Sequence, residues 1–301
     1  SFRKGANLLA RKKISAFDLV VSVLFALLCC TSLCPFLYAL SYSLSDGQLA
    51  QENPVVLFPR GFTWLNYQAI FSDNRMLKGL LVSASRTVFG TVLALAVTGA
   101  CAYAMSRPYL KFKKFFYIFF LIPMYFSGGM IPGFLNIRDL HLMDNYLVYI
   151  FPGCYATFNM FLMRSYMDTI PSSLDEAARL DGAGEMKIFT KIYVPLCKPV
   201  IATIALFVGV GQWNSWYDAM LYITNQDLYP LQMILQKILQ ESQQTSAASI
   251  FLAGMGSEAS KLTPATYTMA VLIVTTLPIV FIYPFVQRYF IKGMTIGAIK
   301  S

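Results

Sequence analysis

Residues 173–199 read SLDEAARLDGAGEMKIFTKIYVPLCKP, a charged, glycine-broken passage in a chain of 301 residues that is 56% hydrophobic. Ser173-Leu174-Asp175-Glu176, directly after Pro171 and Ser172, is an S-x-x-E capping box. In such a box the Ser hydroxyl and the Glu carboxylate satisfy free amides at a helix start. Ala177, Ala178 and Leu180 extend that helix, and Asp181-Gly182-Ala183-Gly184 ends it with two residues that tolerate tight or left-handed backbone. A second helix is expected from Glu185, with Met186, Phe189 and Tyr193 at i, i+3, i+7 and Lys187 and Lys191 on another face. Pro195 and Pro199 close it. The residues therefore predict a polar helix-turn-helix, which suits either a docking knob or a solvated connector.

The flanks are of a different kind. With only 13% charged residues and a mean hydropathy of +0.55, the chain is built for the bilayer rather than for water. Uncharged stretches of about twenty residues, enough to cross the hydrocarbon as a helix, run over 19–40, 87–106, 115–137, 145–163, 199–217 and 262–287. An unpaired peptide group in hydrocarbon costs several kcal/mol, so these stretches should be helical. The expected fold is an all-α polytopic membrane protein with six spans in a single domain. With the N-terminus cytoplasmic, 17 of the 24 Lys and Arg residues fall on the cytoplasmic side. That split follows the positive-inside rule with both termini in the cytoplasm, segment 164–198 as a cytoplasmic loop and 288–301 as a cytoplasmic tail.

This distribution also accounts for the net charge of +9 without a nucleic-acid partner. The first apolar run is longer than the core of a signal peptide and lacks a small-x-small cleavage site, so it is read as an uncleaved helix. The six cysteines lie in or beside apolar runs and His141 is the only histidine, so neither a disulfide framework nor a metal site is expected. GAGEMKIFT lacks the Gly-Lys-Ser/Thr order and the preceding strand of a phosphate loop, so the chain is expected to bind no ATP itself. A polytopic membrane enzyme such as a lipid-linked glycosyltransferase would want a membrane-proximal acidic cluster, and only scattered acids occur outside. A secondary transporter would want ionisable residues within its spans, and the six runs hold none.

Two outer loops are large enough to meet a partner. In the first, Trp64, Tyr67 and Phe71 recur at helical spacing and predict a short amphipathic helix at the outer interface. In the last, Leu231, Ile234, Leu235, Ile238 and Leu239 share one face of a surface helix that precedes a small-residue linker.

EAARLDGAGEMKIFTKIYVPL, residues 176–196, closely resembles the EAA loop of permease subunits of binding-protein-dependent ABC importers. The matching positions are Glu176, Ala177, Ala178, Asp181, Gly182, Ala183, Phe189, Pro195 and Leu196. Further likenesses span nearly the whole chain, in LFPRGFTWLNYQAIF (57–71), LIPMYFSGGMIP (121–132), GQWNSWYDAMLY (211–222) and KGMTIGAIKS (292–301). They resemble the carbohydrate-uptake branch, the maltose-type and complex-polysaccharide permeases. The resemblance implies a type I importer permease in a bacterial cytoplasmic membrane. Its implied partners are a second related permease, two ATPase subunits that bind ATP and Mg, an extracytoplasmic solute-binding protein, an oligosaccharide and membrane lipid. It further implies that Leu174 and Asp175 join Glu176, Ala177, Ala178, Asp181, Gly182, Ala183, Phe189 and Pro195 in a coupling element against the ATPases. Gly293, Thr295, Gly297 and Lys300 would form a tail between those subunits, with Ser301 where a glycine is often found. Trp213, Asn214, Trp216 and Tyr217 could stack on and hydrogen-bond a sugar along the path, or simply anchor the membrane interface.

Overall fold

The computed structural model of the chain describes residues 16–243 and 262–298. The linker expected after the last outer helix, and Lys300 and Ser301, lie outside the described residues. Among the described residues there is no β-strand, only one isolated bridge between Ser45 and Phe62. The chain divides into two compact units, one running to Tyr67 and taking in residues up to Ile273 of the last helix, the other holding the rest.

The first unit begins with α1 (Ala16–Ser43), which bears Pro35 and exposes its apolar side chains along most of its length. Beyond it the chain is drawn together by polar side chains. The Ser43 hydroxyl lies 2.7 Å from the Tyr67 hydroxyl, and Asn66 Nδ2 donates to the Ser43 carbonyl at 2.9 Å. Asp46 caps α2 (Gly47–Glu52) by accepting from the amides of Gln48 and Leu49. A short helix forms where one was expected, as α3 (Leu65–Ser72), with the rings of Trp64 and Tyr67 5.7 Å apart.

The second unit is organised by α4 (Asn74–Ser106), a helix of 33 residues and about 50 Å at 1.5 Å per residue. It starts well before the apolar run at 87–106, because Asp73 caps it through the Arg75 amide. The run 115–137 is not one rod. It divides into α5 (Lys113–Tyr125) and α6 (Met130–Asp139), bent by 115° across Gly128 and Gly129. The run 145–163 is likewise not continuous, consisting of a 3-10 turn (Tyr146–Tyr149), an irregular stretch through Pro152 and Gly153, and α7 (Thr157–Met167). Proline removes a helical donor and glycine weakens the helix, which is why apolarity alone overextended this segment.

Next come α8 (Ser173–Leu180), α9 (Glu185–Ile188), a π-turn (Phe189–Tyr193) and α10 (Val194–Leu196). The chain then bends by 80° into α11 (Lys198–Asn214) and continues as α12 (Tyr217–Tyr222) and α13 (Leu231–Gln243). The last helix, α14 (Pro264–Ala298), contains Pro278 and Pro284. Three helices among the described residues are long and apolar enough to cross a membrane, or five if each bent pair counts as one span.

Helix α4 packs mainly on α7 and α11 around Ala102, Met160, Met163, Ile188, Cys197 and Ile204, all buried. Towards its other end, Gly90 lets the Gln212 side chain pass; a Cβ added there would lie 2.8 Å from Gln212 Nε2. Gly90→Val should therefore destabilise the protein by about 1–3 kcal/mol, the usual cost of overpacking. A lower denaturant midpoint in detergent would report it, while Ala100→Val, exposed on the same helix, should change stability by no more than about 0.5 kcal/mol.

Candidate functional site

Helix α8 and α9 form the expected polar helix-turn-helix, but its start differs from the capping box. Ser172 is the cap residue and is itself in the helical region (φ −63°, ψ −23°), with no side-chain cap bond. The Asp175 and Glu176 amides both bond the Ser172 carbonyl, at 2.9 and 3.1 Å. Ser173 is thus already inside the helix, where its hydroxyl does not cap, and Glu176 is left facing solvent. The turn matches expectation. Gly182 has φ +73°, its amide bonds the Arg179 carbonyl and the Ala183 amide bonds the Ala178 carbonyl, which is a Schellman closure. Met186 does not share a face with Phe189 and Tyr193. It is 73% exposed, whereas Phe189 is half-buried and Tyr193, at the end of the π-turn, is buried.

The inner face of the loop is tied to the end of α4. Arg107, the residue after α4, pairs with the Asp175 carboxylate and lies over the rings of Tyr103 (4.3 Å) and Tyr193 (4.4 Å). Tyr193 also donates to Asp175 Oδ2 at 3.0 Å, and Arg107 Nε and Nη2 donate to Ser106 Oγ. A second tie sits beside it. Glu185 Oε2 accepts from Tyr103 (2.8 Å) and Tyr109 (2.7 Å), Glu185 pairs with Arg179, and Arg179 Nη2 donates to the Tyr109 oxygen at 2.7 Å.

These ties sort the expected coupling residues into two faces. Asp175, Ala178, Ala183 and Phe189 look inward, Phe189 with its ring 5.0 Å from that of Tyr103. Leu174, Glu176, Ala177, Asp181 and Gly182 are exposed, as is Leu180 at 88%, and Pro195 is exposed at α10. An outward face carrying Leu180 and Met186 in water, held from behind by charge, is arranged for contact with another protein.

A second buried cluster lies on α4, and the sequence reading did not include it. Arg86 is 1% exposed and spends all five donors: Nε and Nη2 on Gln212 Oε1 (3.2 and 3.1 Å), Nη1 on the Ser215 carbonyl (3.2 Å), and Nη1 and Nη2 on the Asp218 carboxylate. Its guanidinium sits 4.2 Å from the Tyr149 ring centre, and Gln212 Nε2 donates to the Tyr149 carbonyl at 3.1 Å. The six apolar runs themselves hold no such group, but Arg86 and Asp218 stand directly beside two of them. Arg86 immediately precedes the run 87–106, and the helical period continues back through it to Asn74. The visible signals were this arginine between apolar stretches and the lone Asp218 in GQWNSWYDAMLY. With its five donors spent on α11, α12 and the stretch between them, this arginine ties those elements to α4.

The four candidate path residues do not converge. Trp213 is buried and donates its indole N–H to the Thr275 carbonyl at 3.0 Å. It borders a cavity of about 410 Å³ between α4, α11 and α14, lined almost entirely by apolar groups such as Val88, Leu206 and Ile279. Asn214 accepts from Gln232 Nε2, Trp216 meets the Tyr217 ring edge-on, and the Tyr217 hydroxyl lies 2.9 Å from Met130 Sδ. Only Trp216 and Tyr217 form an aromatic pair accessible to a ligand. In the tail, Gly293, Thr295 and Gly297 lie within the final turns of α14. Among the described residues no group of three or more His, Cys, Asp or Glu is placed to hold a metal ion.

The family described as "Binding-protein-dependent transport system inner membrane component" matches residues 86–296. The polygalacturonan/rhamnogalacturonan transport system permease protein YtcP of Bacillus subtilis is 36% identical over 95% of this chain and 98% of its own length. Protein LplC of the same organism is 37% identical, with 89% of each chain covered. A solved bacterial ABC transporter involved in the import of the acidic polysaccharide alginate superposes with a TM-score of 0.86 at 32% identity, covering 93% of this chain and 98% of the matched one.

Glu185 gives a test by pH. Burial pushes its carboxyl up, but hydrogen bonds from Tyr109 and Tyr103 and the charge of Arg179 outweigh that and hold it below the ordinary range. Its folded pKa is lower than its unfolded one, so its contribution is present above the ordinary Glu value of about 4.3 and is lost as pH falls through the folded value. Corrected for the intrinsic rate at each pH, the hydrogen-exchange protection of amides 173–188 should be level above the ordinary Glu range and fall only as pH drops below it. Glu185→Gln should lower that protection at neutral pH.

Proposed function

Because this chain belongs to the family of binding-protein-dependent transport system inner membrane components, we propose that it moves an oligosaccharide across a bacterial cytoplasmic membrane, driven by ATPase subunits that press on its 173–188 loop. That it is a permease subunit of a sugar importer follows from the family and the relatives. The finer assignments are our own reading: six spans with both termini cytoplasmic, a second related permease, two ATPases carrying ATP and Mg, and a solute-binding protein on the outer side.

The observation that carries the loop assignment is its two-faced construction. Leu174, Glu176, Ala177, Leu180 and Met186 are presented outward, while Asp175, Arg179 and Glu185 are committed to the end of α4. Leu180, 88% exposed, and Met186, 73% exposed, offer apolar contact to such a partner. The small Ala177 permits close approach, and the Glu176 carboxylate is free to meet a basic group of the ATPase. Closure of the ATPases would then drive the spans between inward-open and outward-open states, a two-state equilibrium biased by ATP.

A narrower substrate class is supported by the relatives, since the names of YtcP and of the alginate transporter both specify uronate-bearing polysaccharides. We therefore favour acidic oligosaccharides over neutral ones, with the accessible rings of Trp216 and Tyr217 as the sugar-stacking candidates. In proteoliposomes with the cognate subunits, oligogalacturonides or alginate oligomers should be taken up and should compete, while maltodextrins should not; the reverse preference would overturn this reading.

For the loop, Glu176→Lys should abolish co-purification of the ATPases while membrane insertion is kept. Normal association and uptake in that variant would remove the assignment. Truncation after Lys292 should lower ATP hydrolysis by the assembled complex, and unchanged hydrolysis would mean that the tail is passive.

A further inference from the structure

Of the described helices long enough to cross a membrane, α4 alone contains no proline and no break. It also carries both of the buried guanidinium clusters, Arg86 near one end and Arg107 at the other, separated by roughly 30 Å of helix at 1.5 Å per residue. Each cluster joins α4 to a place where the chain is interrupted. Arg107 holds Asp175 of α8 and lies against Tyr193 of the π-turn, while Arg86 holds Gln212 and Ser215 at the end of α11 and Asp218 of α12.

The covalent route between the same two places is of another kind. From α8 to α12 the chain passes a Gly182 turn, a π-turn, an 80° bend at Cys197 and a break at Ser215 and Trp216. A push on the loop along that route meets several joints, each able to absorb it. Along α4 it meets continuous helix, with buried ion pairs at both ends that are costly to break singly.

We infer that α4 is a rigid connecting rod that carries the displacement of the 173–188 loop to the α11–α12 joint bearing Trp216 and Tyr217, with Arg107 and Arg86 as the positioning residues at its two ends. The inference rests on the proposed role of the loop as the ATPase contact. It makes Arg86 a part of the transport cycle although it is buried and reaches no ligand.

The test uses the assembled complex in nanodiscs, with one fluorescent label on Met220→Cys, exposed on α12, in a cysteine-free background, and ATP as the only added ligand. Ala96 is exposed on α4 about midway between the two arginines, and Ala96→Pro puts a hinge in the rod while leaving both clusters in place. Arg86→Met with Asp218→Leu removes the outer cluster without leaving a lone buried charge. Both variants should keep ATPase association and ATP hydrolysis but lose the ATP-driven change at the label by roughly 2- to 30-fold, the range that coupling mutations commonly span. Leu81→Pro, exposed on α4 beyond Arg86, should leave that change intact.

A full label response in both the Ala96→Pro and the Arg86/Asp218 variants would overturn the rod, as would an equal loss in Leu81→Pro. Failure of the wild-type chain to retain the ATPases would instead overturn the loop assignment beneath it, so the two failures are told apart.

Discussion

A guanidinium withdrawn from water must have its donors occupied, and most of the second unit is arranged around meeting that requirement twice. At Arg86 the five donors are met by Gln212, Ser215 and Asp218, which fixes where α11 stops and how α12 begins. The demand spreads outward. Gln212 reaches Arg86 only because Gly90 and Gly153 leave space for its amide. At Arg107 the acceptors are Asp175 and Ser106 and the flanking surfaces are tyrosine rings, so a loop of mostly exposed residues acquires a fixed base.

This division of polarity explains why one loop is both firm and reactive towards a partner. Asp175, Arg179 and Glu185 of α8 and α9 are paired with one another or with the end of α4, and the outer face carries Leu180, Met186, Ala177, Glu176 and Lys187. The same logic separates the cavity between α4, α11 and α14 from a sugar path. Its walls are nearly all hydrocarbon: Trp213 has given its N–H to Thr275 and Thr87 its hydroxyl to the Ser83 carbonyl, and the Thr91 hydroxyl is a single polar group among them. A sugar with several hydroxyls needs acceptors and donors that this cavity lacks.

Much of the architecture was legible because two signals are local. Apolar length gave α1, α4 and α14, and the Gly182 turn was readable because a left-handed position after a short helix favours glycine. The Trp64–Phe71 and Leu231–Leu239 stripes gave α3 and α13 by period alone. The segments misread were those where apolarity persists across a backbone break, at Gly128 and Gly129 and at Pro152 and Gly153, since hydropathy does not register whether successive residues share one axis. The Ser173 capping box was misplaced by one residue because Ser172, the cap, already has helical backbone angles. The two arginine clusters were illegible for a deeper reason. Arg86 and Asp218 are 132 positions apart in the chain, and Arg107 and Asp175 are 68 apart, so no window on the sequence brings either pair into view.

The π-turn at Phe189–Tyr193 has a consequence for the length of the loop itself. Each residue of a helix sets the direction of those after it by about 100°, and here the count leaves Phe189 and Tyr193 both against Tyr103, with Arg107 over the Tyr193 ring. Deleting or inserting one residue between Gly182 and Tyr193 would rotate Tyr193 by about 100° relative to the glycine turn and take it off Arg107. The interval between the glycine turn and Tyr193 is therefore a fixed measurement rather than a spacer, and substitutions within it are a far smaller disturbance than a change in its count.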